Sequence, residues 1–438
     1  MKTRTMLVSV LLVAAVLLTA CPGTTTTVAP TQPPAPTAKP AEPTKPPEPT
    51  AEPTAEPPME EVTITLWNQW NDEYAENIKV VFDEYTAMHP NVKIDLSKPE
   101  DVQNALSVAV PAGEGPDIIA WANDRIGDQA LVGNIVALDE LGVTMDFLTS
   151  TYEPAAVNGV VWQGQIWALP ETQEGIAFVY NQALVTDEFL PTDPSDFDAL
   201  LEKAKAFREA NPDKYLVCNQ GLGNPDAYHV APIYFGFGVP SYVDDQGVAY
   251  FNSEEALAAG NWIVEFSQYA PAETSHEICS TMLIEGQAGA WWTGPWAIAD
   301  IEKAGLDYGI LPMGRPFVGI KALMITPNAV DRGHAEIALD VIKYFTSGEV
   351  QAKLALANKT IPAATAALAD PEVQALATLA GFGASLNLGV PMANTPFASA
   401  QWGPAGDATT AIWNGAQTPD EALAAAQQTA EDAIAAMK

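Results

Sequence analysis

The sequence predicts an α/β protein whose sheet strands are joined by helical crossovers. Two observations carry that class. Segments with apolar residues at every second position are followed by segments with apolar residues at helical spacing, and this succession repeats along the body of the chain. The size and apolar content suit large cores: the chain has 438 residues, is 48% hydrophobic, and keeps about 378 residues beyond its N-terminal sixty. At roughly 100–200 residues per domain, that length suits two or three domains.

Taken in order, residues 62–66 alternate and read as a strand. Ile78, Val81, Phe82 and Tyr85 then recur at helical spacing. That helix stops before His89-Pro90, because the residue preceding a proline is pushed out of the helical region. Residues 92–96 alternate again, 102–110 read as a helix, and 117–121 read as a strand. A strand is expected near 176–180 and helices near 197–209, 254–269 and 334–346. An amphipathic helix near 420–437 ends the chain.

The N-terminus is of a different kind. Residues 1–20 open with Lys2 and Arg4 and run apolar from Met6 to Leu18. Such a run falls short of the roughly 20 residues a bilayer crossing needs and reads as a signal peptide. Leu18-Thr19-Ala20-Cys21 resembles the lipobox of bacterial lipoproteins, which implies several acyl chains on Cys21 and stable anchoring. Residues 21–60 are mostly Pro, Thr, Ala and Glu with no apolar period. They read as an extended tether, rising about 3.1 Å per residue and reaching on the order of 100 Å. The expected location is extracytoplasmic, lipid-anchored to the cell membrane, on its periplasmic side or the cell surface.

Charge and motif content narrow the function. The chain carries 20 Lys+Arg against 55 Asp+Glu, a net charge of -35. That field repels phosphate backbones and is indifferent to a neutral ligand such as a sugar, so nucleic acid is not expected as a partner. The phosphate-loop and nucleophile-elbow motifs are absent. His89, His229, His276 and His334 lie far apart without metal-ligand spacing, so neither metal nor cofactor is expected. In an oxidising exterior Cys218 and Cys279 are a candidate disulfide pair, with two buried free thiols as the alternative. Glu171, Glu174 and Asp124 could belong to a secreted glycoside hydrolase acting on α-glucans, which uses two carboxylates about 5–10 Å apart. The same groups could accept hydrogen bonds from sugar hydroxyls in a site without catalysis.

Tryptophans are the more informative feature. Of 11, several adjoin polar or turn residues: Trp67-Asn68-Gln69-Trp70-Asn71-Asp72, Trp121-Ala122-Asn123-Asp124-Arg125, Thr293-Gly294-Pro295-Trp296 and Gln401-Trp402-Gly403-Pro404. Sugars offer apolar C–H faces and hydroxyl rims. Aromatic faces cover the first, and Asp, Glu, Asn and Arg serve the second.

The run Gly115-Pro116-Asp117-Ile118-Ile119-Ala120-Trp121-Ala122-Asn123-Asp124-Arg125 resembles the maltose/maltodextrin-binding proteins of ABC sugar importers. So, in the same order, do Leu169-Pro170-Glu171-Thr172-Gln173-Glu174, Thr293-Gly294-Pro295-Trp296, Arg315-Pro316-Phe317-Val318-Gly319, Ser399-Ala400-Gln401-Trp402 and Thr418-Pro419-Asp420-Glu421-Ala422-Leu423. The resemblance implies a two-lobe, periplasmic-binding-protein-like fold with a hinge and a ligand cleft between the lobes. It implies chain crossings near Gly175, Val318 and Asp370, so that 61–175 plus 318–370 form the N-terminal lobe and 176–317 plus 371–438 the C-terminal lobe. It implies stacking by Trp121, Tyr228, Trp296 and Trp402, and hydroxyl contacts by Asp124, Arg125, Glu174 and Asp226. The first loop departs from the pattern. Asn71-Asp72 stands where well-known members carry Asp-Lys, so a cation is lost there, and Trp70 stands at a small-residue position and is expected to add a stacking surface. The implied role is a monomeric, non-enzymatic receptor that takes maltodextrin to the importer's permease subunits.

Overall fold

In the computed structural model, which describes residues 60–438, strand Val62–Trp67 buries Ile64 and Leu66 completely. Helix Asp72–Met88 follows and buries Tyr74, Ile78, Val81, Phe82 and Tyr85 in the same core. His89 caps it ahead of Pro90. The chain returns as strand Val92–Ser97, parallel to the first, as a helical crossover requires. Helix Val102–Ala109, capped by the Asp101 carboxylate, leads to strand Ile118–Ala122 on the other flank of the first strand.

Antiparallel additions extend the first sheet among the described residues. The long strand Phe317–Ile325 pairs with Ile118–Ala122, and Leu169–Glu174 pairs with Phe317–Ile325. The short Ile361–Pro362 closes that edge, while Val390–Pro391 runs alongside Phe317–Val318. A separate four-stranded sheet runs in the order Tyr308–Leu311, Ala177–Asn181, Ala288–Thr293, Tyr215–Cys218. Each sheet has its own apolar core, and these are the two lobes.

The chain passes from the first sheet to the second between Glu174 and Ala177. Gly175 sits at that crossing, where a Cβ would lie 2.8 Å from the Phe317 carbonyl oxygen and 2.5 Å from the Leu386 side chain. It returns between Leu311 and Phe317, so the return strand begins with Phe317 still in the second lobe's core. It leaves again through the helices Thr365–Leu368 and Pro371–Gln374. One stretch of the expected C-terminal lobe lies against the first lobe. The Asn394 amide donates to the carbonyls of Gly159 and Val161 at 3.1 and 2.9 Å, and the Asn123 amide donates to the Met392 carbonyl at 3.0 Å.

Cys218, on a strand of the second sheet, and Cys279, on helix His276–Ile284, are bridged with their Cα atoms 5.4 Å apart. The signal peptide, Cys21 and the tether through residue 59 lie outside the described residues. No helix among the described residues is long and apolar enough to cross a membrane.

Candidate functional site

Between the lobes lies a cavity of about 300 Å³, at the small end of ligand sites. The first lobe contributes the loop Gln69–Asp72, Tyr74, Ala122 and Glu174. The second lobe contributes Tyr228, His229, His276, Trp296 and Asp300. Gly319, Ile320 and Lys321 of the return strand form its floor.

The second-lobe wall is aromatic. Tyr228 and His229 open helix Ala227–Gly236, where the Asp226 carboxylate caps the helix by accepting from the His229 backbone N–H at 3.2 Å. The Tyr228 ring stacks on Phe317 at 6.0 Å and leans against Trp296 at 6.1 Å. Phe317 in turn meets Trp402 at 5.5 Å, so the four rings form one contiguous strip. Burial drives the Tyr228 hydroxyl far above its ordinary pKa, and the converging Glu174, Asp226 and Asp124 carboxylates drive it further. That hydroxyl keeps its proton and can donate to a ligand.

The first-lobe wall is charged. Glu174 accepts from the Thr172 hydroxyl at 3.1 Å and pairs with Lys321 at 3.1 Å. Tyr74 donates to Glu171 at 2.7 Å. Burial pushes Glu171 up to about 7, although Lys321 and the Tyr74 hydrogen bond pull it down. Both carboxylates are thus held in place, Glu171 at only 2% exposure.

Six of the residues expected from the sequence line the cavity together: Trp70, Asn71, Asp72, Glu174, Tyr228 and Trp296. Trp70 differs from expectation in kind. Its ring is 4% exposed and packs against the stacked pair Phe82 and Phe345 at 6.1 and 5.7 Å, so most of it belongs to the first core. Asn71 accepts from Lys98, which puts a cation back near the loop that lost one.

Five expected residues stand behind the wall. Trp121 alternates with the cavity-lining Ala122 along its strand, so it faces the first core, 8% exposed, with the Arg125 guanidinium 5.4 Å from its ring. Arg125 also donates to Gln103 at 3.0 Å and pairs with Asp124 at 3.1 Å. Asp124 and Trp402 hold each other across the lobes, the indole N–H donating to the carboxylate at 2.8 Å. Burial raises the Asp124 pKa against the pull of Arg125 and this bond. Asp226 braces His229, its Oδ2 lying 2.8 Å from the ring Nδ1. Burial opposes its ionisation, but His229 and Gln220 outweigh burial and hold the carboxyl at about 2.

Sequence reading did not assign Tyr74, Asp300 or Lys321 to the site and weighed His229 and His276 as metal ligands. His229 Nε2 is buried with no hydrogen-bond partner among the described residues, on a side chain that lines the cavity. Burial lowers the pKa of His276, while burial and the facing Asp72 raise that of Asp300. Lys321 did leave a signal: it is the single charge in the apolar strand Phe317–Ile325. No group of His, Cys, Asp and Glu able to hold a metal ion occurs among the described residues.

Comparisons with known proteins agree with this architecture. A maltotriose-binding protein of Pyrococcus abyssi is 29% identical over 354 residues, covering 78% of this chain and 75% of the relative. A galactooligosaccharide-binding protein of Bacillus subtilis is 23% identical over 346 residues, 74% of this chain and 79% of the relative. Among solved structures, a maltose/maltodextrin-binding domain from Bdellovibrio bacteriovorus bound to maltotriose superposes with a TM-score of 0.77 at 21% identity, covering 85% of this chain and 100% of the other. The Thermus thermophilus maltotriose binding protein bound with maltotriose gives 0.75 at 20% identity, with 85% and 100% covered. These likenesses carry the fold, two lobes around a cleft. The bacterial extracellular solute-binding protein family matches residues 81–381, more than half of the sequence, and the chain belongs to that family.

Proposed function

We propose that this protein captures a short α-glucan of the maltotriose class between its lobes and presents it to the membrane subunits of an ABC importer. The observation that carries this reading is the opposition of the Tyr228 and Trp296 rings to the Glu174–Lys321 pair across one cavity. Rings cover the apolar faces of a sugar, and the ion pair serves its hydroxyl rim. The relatives named for maltotriose support the choice of sugar over the galactooligosaccharide alternative, because the Pyrococcus abyssi protein is the more similar of the two sequences.

In this reading the protein is a monomer without catalysis. Residues 61–175 with 318–370 move as one body and 176–317 with 371–438 as the other, and the ligand favours closure because only the closed form touches it from both sides. Trp121, Asp124, Arg125, Asp226 and Trp402 act from behind the wall, shaping and bracing it. The N-terminal 1–20 is removed on export, Cys21 carries the lipid, and the tether holds the receptor outside the cell membrane.

A thermal-shift screen against maltose, maltotriose, longer maltodextrins, trehalose and galacto-oligosaccharides tests the reading. Saturation at 100 times Kd adds about 2.7 kcal/mol of stability. The largest shift is expected with maltotriose or maltotetraose, with no reducing ends released on prolonged incubation. A shift confined to galactosides would change the cargo, and hydrolysis would end the receptor reading.

A further inference from the structure

The floor of the cavity contains a built charge site beside a β-bulge. Along Leu169–Glu174, residues 171 and 174 are three apart, and in an unbroken strand they would face opposite sides. The pairing with Phe317–Ile325 is not unbroken. Lys321 lies opposite Thr172, while the next residue, Ala322, lies opposite Pro170, leaving Glu171 as the extra residue of a β-bulge. A bulge re-aims side chains and occurs often beside functional sites. Here it turns Glu171 to the Tyr74 hydroxyl at 2.7 Å, whose ionisation Glu171 and the nearby Glu174 both oppose after burial itself.

Lys321 projects into this site. Its ammonium is 3.1 Å from Glu174, 4.7 Å from the Tyr74 ring centre and 5.6 Å from that of Trp296. It thus touches an acid and a ring of the first lobe and a ring of the second. An ammonium has three donors and Glu174 takes one. Glu171 Oε2, fully buried, has no hydrogen-bond partner among the described residues.

We propose that Lys321 is a specificity-determining ligand contact, set on the same sheet face as Glu174 by the regular register of Gly319 with Glu174 and Lys321 with Thr172, so that the two read one sugar hydroxyl as acceptor and donor together. The ammonium donates to the hydroxyl oxygen and the carboxylate accepts the hydroxyl proton, while the ring carrying that hydroxyl rests on Trp296. A site built to bond a hydroxyl discriminates strongly against a ligand lacking it, because its own buried polar groups are then left unpaired. This inference rests on the reading of the cavity as an α-glucan site.

The test is calorimetric titration of wild type and Lys321→Met with maltotriose and its set of mono-deoxy analogues. Lys321→Met is expected to bind maltotriose at least about tenfold more weakly. For one analogue, the one missing the hydroxyl that Lys321 reads, wild type and variant should agree within about threefold, as coupled partners do in a double-mutant cycle. Lys321→Arg keeps the charge beside Glu174 for the case where the methionine variant does not fold, and should change the ranking of the analogues. Unchanged affinity in Lys321→Met, an equal loss for every analogue, or an unchanged ranking in Lys321→Arg would each overturn the assignment. Failure of wild type to bind any α-glucan would instead overturn the function on which it rests.

Discussion

Glu171 shows how one buried side chain ties the site to the stability of the fold. Its carboxyl, pushed up to about 7, binds a proton more tightly in the folded chain than in the unfolded one, where it titrates near 4.3. Between those values the folded state holds the extra proton, so stability falls as pH rises through that window and levels off above it. Glu171→Gln, which mimics the protonated form, is expected to flatten the decline of Tm from pH 5 to 8 and to melt above wild type at pH 8. An unaltered slope would show that the carboxyl is not the titrating group. At this scale the sequence was legible where chemistry and setting coincided. Trp296 and Glu174 stood out by polar neighbours and family motifs, and both line the cavity. Trp121 shared the same kind of motif yet faces the core, because one step along a strand reverses the side chain. Tyr74 was hidden in a helical apolar pattern that explains its burial and says nothing of its hydroxyl.

Elements with a clear period were legible to within a few residues. The helix 197–209 is found as Phe197–Ala210, and 420–437 as Pro419–Met437 with a capping box between Thr418 and Glu421. Elements buried on every side were not. Helix Ala227–Gly236 buries eight of its ten residues and even accommodates Pro232, so it lacks the polar face that marks a surface helix. It is nonetheless the helix that delivers Tyr228 and His229. Its neighbour His276–Ile284, which delivers His276, is tied to the second sheet by the Cys218–Cys279 bridge. Removing the bridge with alanine at both cysteines is expected to cost about 2–5 kcal/mol, read as a lowered Tm under oxidising conditions. Equal melting of the two forms would mean that the bridge holds nothing that packing does not. The hinge makes a comparable demand at a single element boundary. Gly175→Ala sets a methyl against the Phe317 carbonyl and should destabilise the chain by about 1–3 kcal/mol, whereas wild-type stability would show that the crossing relaxes freely.

For the whole molecule, the two sheets and the strand between them decide what the cavity is. Its floor belongs to the strand Phe317–Ile325, which starts in one core and ends in the other, so any rotation of the lobes acts directly on Gly319, Ile320 and Lys321. Contacts across the cleft, such as Trp402 to Asp124 at 2.8 Å and Lys303 to Glu73 at 2.5 Å, join surfaces that no local pattern connects. This is why the alternation of elements indicated an α/β chain, while the division into lobes came only through family resemblance. In the proposed complex an α-glucan lies between the lobes with its face on the second-lobe rings. Titration calorimetry of maltotriose into wild type and Trp296→Ala tests this placement most directly. Wild type is expected to show one site per chain with an affinity in the micromolar range, about -8 kcal/mol, and Trp296→Ala a loss of at least about 1 kcal/mol with its melting temperature preserved. Equal binding by the two proteins, or no binding by wild type, would contradict it.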